Sequence, residues 1–203
     1  CSDDCAGAIT PGFSESDDGN TCPRVITRTW TCRDSCGNEV SASQTITVFD
    51  TTEPALAGVP DDTTVQCDAN VGDPPAVTCR DNCDGSITPS FAQRDDGNTC
   101  PRVITRTWTC TDACGNLASD SQNITVNDTT DPVLHGVPAD TGVQCDEDVA
   151  SPAAVTCSDN CAGSVTPSFE EQNDGQRCPR VITRTWTCRD RCGNDVSASQ
   201  HIT

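Results

Sequence analysis

The sequence predicts an all-β protein, a tandem array of disulfide-rich β-sandwich domains, and three observations predict it. The chain repeats itself every 78 residues, so that CPRVITRTWTC stands unchanged at 22–32, 100–110 and 178–188. Cysteines recur in the same register: Cys1, Cys79 and Cys157 are equivalent, as are Cys5, Cys83 and Cys161, and Cys22, Cys100 and Cys178. Short β-branched runs lie between them, separated by clusters of Pro, Gly, Asn and Asp. A fixed long period means one folding unit copied in tandem. Six cysteines per unit mean a small, stapled fold suited to an oxidising compartment. Short strands with regular turn signals suggest a sandwich, and no stretch shows a helical period.

Taken in order, the strands and hinges set the domain frame. Val25–Thr31 and Ser43–Val48, with their copies, are dense in residues that favour a pleated, half-buried surface. Directly after the second run stands Asp50-Thr51-Thr52-Glu53-Pro54, which recurs as Asp128-Thr129-Thr130-Asp131-Pro132. A proline-bearing hinge between strands marks a domain junction. The frame therefore gives a complete repeat at 50–127, a nearly complete one at 128–203, and an incomplete one at 1–49 that lacks the counterpart of residues 50–78. A chain that starts at Cys1 in mid-repeat reads as a window onto a longer polypeptide, or as a mature processed subunit. An isolated half-sandwich exposes strand edges and core, so its missing strands are expected from the same polypeptide or from another chain.

Composition narrows the function. Only 33% of residues are hydrophobic and 3% aromatic, which makes the core of each small unit weak and leaves cross-links to hold it. Net charge is −19, and all twelve positive charges are arginine. Nucleic acid is excluded as a partner because its phosphates would be repelled. No apolar run is long enough to cross a membrane. Catalysis finds no foothold: His135 and His201 sit at non-equivalent places, and no GxSxG, HExxH or phosphate loop occurs. The chain is read as non-enzymatic, with an extracellular or cell-surface location.

The cysteines come with two look-alike segments per unit, Cys79-Arg-Asp-Asn-Cys83 and Cys110-Thr-Asp-Ala-Cys114. Within an extended strand both cysteines of a CxxxC face one side. Two such strands packed across a sandwich predict Cys79–Cys110 and Cys83–Cys114, with Cys67–Cys100 tying the first strand to the CPRV strand. The same logic predicts Cys157–Cys188, Cys161–Cys192 and Cys145–Cys178, then Cys1–Cys32 and Cys5–Cys36, with Cys22 left unpaired. The rival is a zinc site, but structural zinc favours tighter C-x2-C knuckles.

The elements DNCDGS, ITRTWTxxDxCGN and SQxITVxDTTxP resemble the hyalin repeat (HYR) and related immunoglobulin-like repeats, found in tandem on secreted and cell-surface proteins. The resemblance runs through every unit. It implies an immunoglobulin-like β-sandwich and a role in adhesion or extracellular architecture. A cysteine follows TWT where such repeats commonly carry a small residue, so this chain looks more heavily cross-linked.

Among single residues, Trp30, Trp108 and Trp186 stand two before Cys32, Cys110 and Cys188, on the same strand face, and are expected to pack on the disulfide. Arg28, Arg106 and Arg184 share that face and are expected at the sandwich rim. Asp95 and Asp96 in an Asp-Asp-Gly-Asn turn, and Asp50 and Asp128 at the hinges, are calcium candidates, although Asp-Gly is above all a turn signal. Asn123 and Asn127 fit the N-glycosylation sequon. The resulting expectation is an extracellular structural protein forming a stalk, fibre or filament, whose partner is itself as neighbouring repeats or subunits, with a glycan or matrix as a further contact. The alternative is an adhesin recognising a glycan or protein receptor, with its binding patch in the variable segments 13–18, 91–96 and 169–174.

Overall fold

The computed structural model describes residues 1–5, 7–144 and 148–203. It is all-β, a tandem of disulfide-rich domains. The first repeat contributes β1 (Ser2–Asp3), β2 (Gly7–Ala8), β3 (Gly12–Asp17), β4 (Arg24–Arg33) and β5 (Glu39–Val48). The second contributes β6 (Ala55–Ala57), β7 (Thr63–Val65), β8 (Thr78–Asp81), β9 (Gly85–Ile87), β10 (Ser90–Asp95), β11 (Arg102–Thr111) and β12 (Leu117–Val126). The third contributes β13 (Val133–His135), β14 (Thr156–Asp159), β15 (Gly163–Val165), β16 (Ser168–Asn173), β17 (Ile182–Arg189) and β18 (Asp195–Ile202).

The second repeat forms two sheets, β6-β8-β9 and β10-β11-β12-β7. The disulfide Cys79–Cys110 joins β8 of one to β11 of the other, with Trp108 two residues before it, as in an immunoglobulin-like sandwich. The third repeat has the same plan, β13-β14-β15 with β16-β17-β18, and a parallel bridge Thr141↔Ile202 where the second repeat pairs β7 with β12. The first repeat has β3-β4-β5 and the short ladder β1-β2.

Contacts divide the chain into two compact units. The first comprises Cys1–Val59, Pro75–Ala92 and Thr107–Asp120; the second comprises Pro60–Pro74, Gln93–Arg106 and Ser121–Thr203. The second unit holds an aliphatic cluster of Ile104, Ile124 and Val126, backed by Val65 and Val71.

Strand periodicity explains the packing. Along β11, Ile104, Arg106, Trp108 and Cys110 point inward and are buried, while Thr105, Thr107 and Thr109 face out. On the outer face of β17, Thr185 and Thr187 meet Ser199 and Ser197 at 2.9 and 2.7 Å. Each tryptophan tilts against a phenylalanine of the preceding strand, Phe13–Trp30, Phe91–Trp108 and Phe169–Trp186, with ring centroids 5.3–5.6 Å apart. Trp108 and Trp186 are 3% and 2% exposed, whereas Trp30 is 37% exposed.

Two of the three arginines, Arg106 and Arg184, are not at the rim, whereas Arg28 stays half-exposed and pairs with Glu15 at 2.8 Å. Arg106 and Arg184 are each 5% exposed, because the inward position of a strand carries them into the domain. Arg184 donates to Glu171 at 2.7 Å and to the carbonyl of Ala150 at 2.8 Å. Arg106 donates instead to the neutral Gln93, at 3.0 Å, and to the carbonyl of Gly72. A charge-assisted bond is roughly twice as strong as one to a neutral acceptor. Gln93→Glu is therefore expected to stabilise the oxidised chain by about 1 kcal/mol in denaturant unfolding. A decrease would show that the second repeat is tuned to a neutral partner.

Candidate functional site at the repeat junctions

Among the described residues, three disulfides lie within repeats: Cys1–Cys32, Cys79–Cys110 and Cys157–Cys188. Three others cross from one repeat to the next: Cys22–Cys114, Cys100–Cys192 and Cys67–Cys161. The first two of these are one link repeated, both spanning 92 residues with Cα atoms 4.9 Å apart.

These links correct several expectations. Cys83 is not bonded to Cys114, nor Cys161 to Cys192, nor Cys67 to Cys100, and Cys22 is not unpaired. Cys5 and Cys36 are exposed free thiols and not a pair, as are Cys83 and Cys178. The bond expected between Cys145 and Cys178 involves a residue outside those described. The physical reason lies in the middle of each CxxxC. β8 ends at Asp81, whose Oδ1 accepts the backbone N–H groups of Cys83 and Asp84 at 2.8 and 2.9 Å. Asp112 does the same for Cys114 and Asn116 just beyond β11. An aspartate capping its own backbone turns the chain, so the rule that i and i+4 share a face stops there. The first cysteine stays on the inner face and the second leaves with the turn.

In the second unit these turns surround a cavity of about 490 Å³ lined by both cross-repeat disulfides, Cys67–Cys161 and Cys100–Cys192. Four carboxylates line it as well: Asp68, which holds Arg102, and a group of three, Asp128 from the hinge, Asp159 from the end of β14 and Asp190 from the turn after β17. One oxygen of each of these three lies within 4.8 Å of the others. Asn194 braces the group, its Nδ2 donating to Asp190 Oδ2 at 2.7 Å and to the Asp128 carbonyl at 3.0 Å. The first unit repeats the arrangement 78 residues earlier. Asp50, Asp81 and the Cys83 sulfur cluster within 4.8 Å, and Asn116 bridges Asp112 to the Asp50 carbonyl at 2.7 and 3.1 Å. The hydrogen bond from the Thr52 N–H holds the Asp50 carboxyl below the usual range. Cys83 is pushed up, first by its hydrogen bond to Asp50 and then by desolvation and the charges of Asp50, Asp81 and Asp84.

Asp50 and Asp128 are thus the two calcium candidates that meet other carboxylates. Asp95 and Asp96 do not: they accept from the N–H groups of Gly97 and Asn98, and Asp95 holds Arg102 at 2.9 Å. The partners Asp81, Asp112, Asp159 and Asp190 were missed, although the signal was present. Both CxxxC segments carry Asp at their centre, and it recurs with the period. Of the sequon residues, Asn123 is half-buried in β12 with its Nδ2 donating to Asp62 at 3.3 Å, and Asn127 donates its N–H to the Val65 carbonyl at 2.9 Å. The variable segments fall on β3, β10 and β16, which expose all six residues of each strand.

No curated protein matches the chain. The HYR-like domain with 4 cysteines matches residues 56–126 and 134–203, more than half of the chain. Each matched stretch holds six cysteines, two more than that description. The chain therefore belongs to the family of HYR-like domains with 4 cysteines, a tandem repeat whose neighbouring copies are covalently bonded.

Proposed function

We infer that the protein is an extracellular structural element, a stalk or fibre made of HYR-like domains locked to their neighbours. The observation that carries this reading is the set of cross-repeat disulfides. An ordinary tandem array joins its domains by a flexible linker and a modest interface, so relative motion is the default. Here each hinge is bypassed by bonds that restrict it. The four free thiols among the described residues support the same reading, because each is the register equivalent of a bonded cysteine: Cys5 and Cys83 of Cys161, Cys36 of Cys114, and Cys178 of Cys100. A further repeat at either end, on the same polypeptide or on another copy, would close them. The exposed sheet of the first repeat would be covered by the same addition.

Electron microscopy of the oxidised chain tests this. The unreduced protein is expected as particles of one uniform shape and length. The variant with Cys67→Ser, Cys161→Ser, Cys100→Ser and Cys192→Ser should keep its intra-repeat bonds yet bend between the second and third repeats. Equal bending in both proteins would defeat the reading and move attention to the exposed strands β3, β10 and β16 as a ligand-binding surface.

A further inference from the structure

The geometry points to a divalent cation site of the calcium type at each repeat junction, built from Asp128, Asp159 and Asp190 in one and from Asp50 and Asp81 in the other. Three carboxylates converge at the one place and two, beside the Cys83 sulfur, at the other, yet none of the ion pairs among the described residues involves any of these five. Buried like charges without a counter-charge are costly, and a cation removes the cost.

The unpartnered atoms point the same way. Asp81 is 4% exposed, and its Oδ2 is buried without any hydrogen-bond partner while Oδ1 caps the turn. Asp159 has the same split: Oδ1 accepts from Cys161 and Ala162 at 3.0 and 2.6 Å, and Oδ2 is buried and unpartnered. The orphaned carboxylate oxygens therefore belong to the clusters, and those of Asp81 and Asp159 recur with the repeat. Among the clustered carboxylates, Asp128 is 5% exposed.

The donor set selects the metal at the Asp128 junction; at the other, the Cys83 sulfur stands beside the two carboxylates. At the Asp128 junction all three ligand atoms are carboxylate oxygens, because the equivalent of Cys83 there, Cys161, is bonded to Cys67. Oxygen-only sets suit hard cations, and zinc would look for sulfur or imidazole. Carboxylates held by three separate turns fit calcium's loose coordination better than magnesium's strict octahedron. Arg102 shares the cavity but is held by Asp68 and Asp95 at 2.7 and 2.9 Å. Arg191 also lines it, but Ala113 stands at the equivalent place in the first unit, where the carboxylate cluster persists without a cation of its own.

The site stands on this geometry and not on the fibre reading, so either can fail alone. The test is calorimetric titration of calcium chloride into the oxidised, chelator-treated 203-residue chain, with thermal unfolding alongside. Wild type is expected to bind two calcium ions in the range of extracellular modules, about 10⁻⁴–10⁻³ M or tighter, and to gain thermal stability. Asp159→Asn should remove one ion and Asp81→Asn the other, each lowering affinity at its junction at least tenfold. Asparagine keeps the turn-capping oxygen, and the circular dichroism of each variant checks that it folds. No binding by wild type at 10 mM calcium would overturn the assignment. So would full binding by the double variant, which would send the ions to turns such as Asp95-Asp96.

Discussion

Reduced with a phosphine at 25 °C and neutral pH, the chain is expected to lose its β-sheet circular dichroism and become fully sensitive to protease. The apolar core does not suffice to hold it. Twelve hydrophobic residues are buried among those described, four of them are the half-cystines Cys79, Cys110, Cys157 and Cys188, and none lies in the first repeat. The intra-repeat bonds each close a span of 31 residues, and the cross-repeat bonds close 92 to 94. In the chain-entropy picture such links contribute about 3.7 and 4.6 kcal/mol respectively. Two of them together rival the whole stability of an ordinary domain, about 5–15 kcal/mol. A reduced chain that kept its sheet signal and its protease resistance would show that the strands pair well enough alone.

The second large effect is local. Trp186→Ala is expected to destabilise the third repeat by roughly 3–5 kcal/mol, the usual cost of truncating a buried aromatic. Trp186 is 2% exposed, lies against Phe169 at 5.4 Å and stands two residues from Cys188, which is itself fully buried. Trp108→Ala should cost as much in the second repeat. Trp30→Ala, at the same place in the repeat but 37% exposed, should cost about 2–3 kcal/mol, in proportion to the area it hides. Thermal unfolding of the three oxidised variants gives the comparison. Equal losses at all three positions would mean that Trp30 is buried in solution by an association of the first repeat.

Much of the fold was legible because strand physics is local. The alternation in Val25–Thr31 and its copies fixes which side chains face inward, and so places Trp108 beside the disulfide at Cys110. The burial of Arg106 was not legible, because its partners Gln93 and the Gly72 carbonyl come from another strand and another loop. Cys83 and Cys114 were misassigned for a different reason. A perfect period hides the repeat to which a partner belongs: Cys100 has a plausible mate in its own unit, and only three-dimensional placement shows that the mate is Cys192. The carboxylate clusters were half legible. Asp50 and Asp128 stand out at the hinges, but their convergence with Asp81, Asp159 and Asp190 depends on turns that the strand rule does not describe.

The cross-repeat bonds also decide where tension would travel if the array were pulled. Force entering the middle repeat through Cys22–Cys114 leaves it through Cys100–Cys192, and the backbone between Cys114 and Cys100 is only fourteen residues long. The other residues of the 78-residue period hang outside that path as slack. Ten of the residues under load already form the extended strand β11. At 3.3–3.4 Å per residue, the fourteen reach about 47 Å when taut. Pulled straight, the whole repeat would reach about 260 Å if it were free to unravel. An oxidised array is therefore nearly inextensible: its domains can denature without lengthening it, and the stretch that bears the load contains CPRVITRTWTC, the segment written identically in all three repeats.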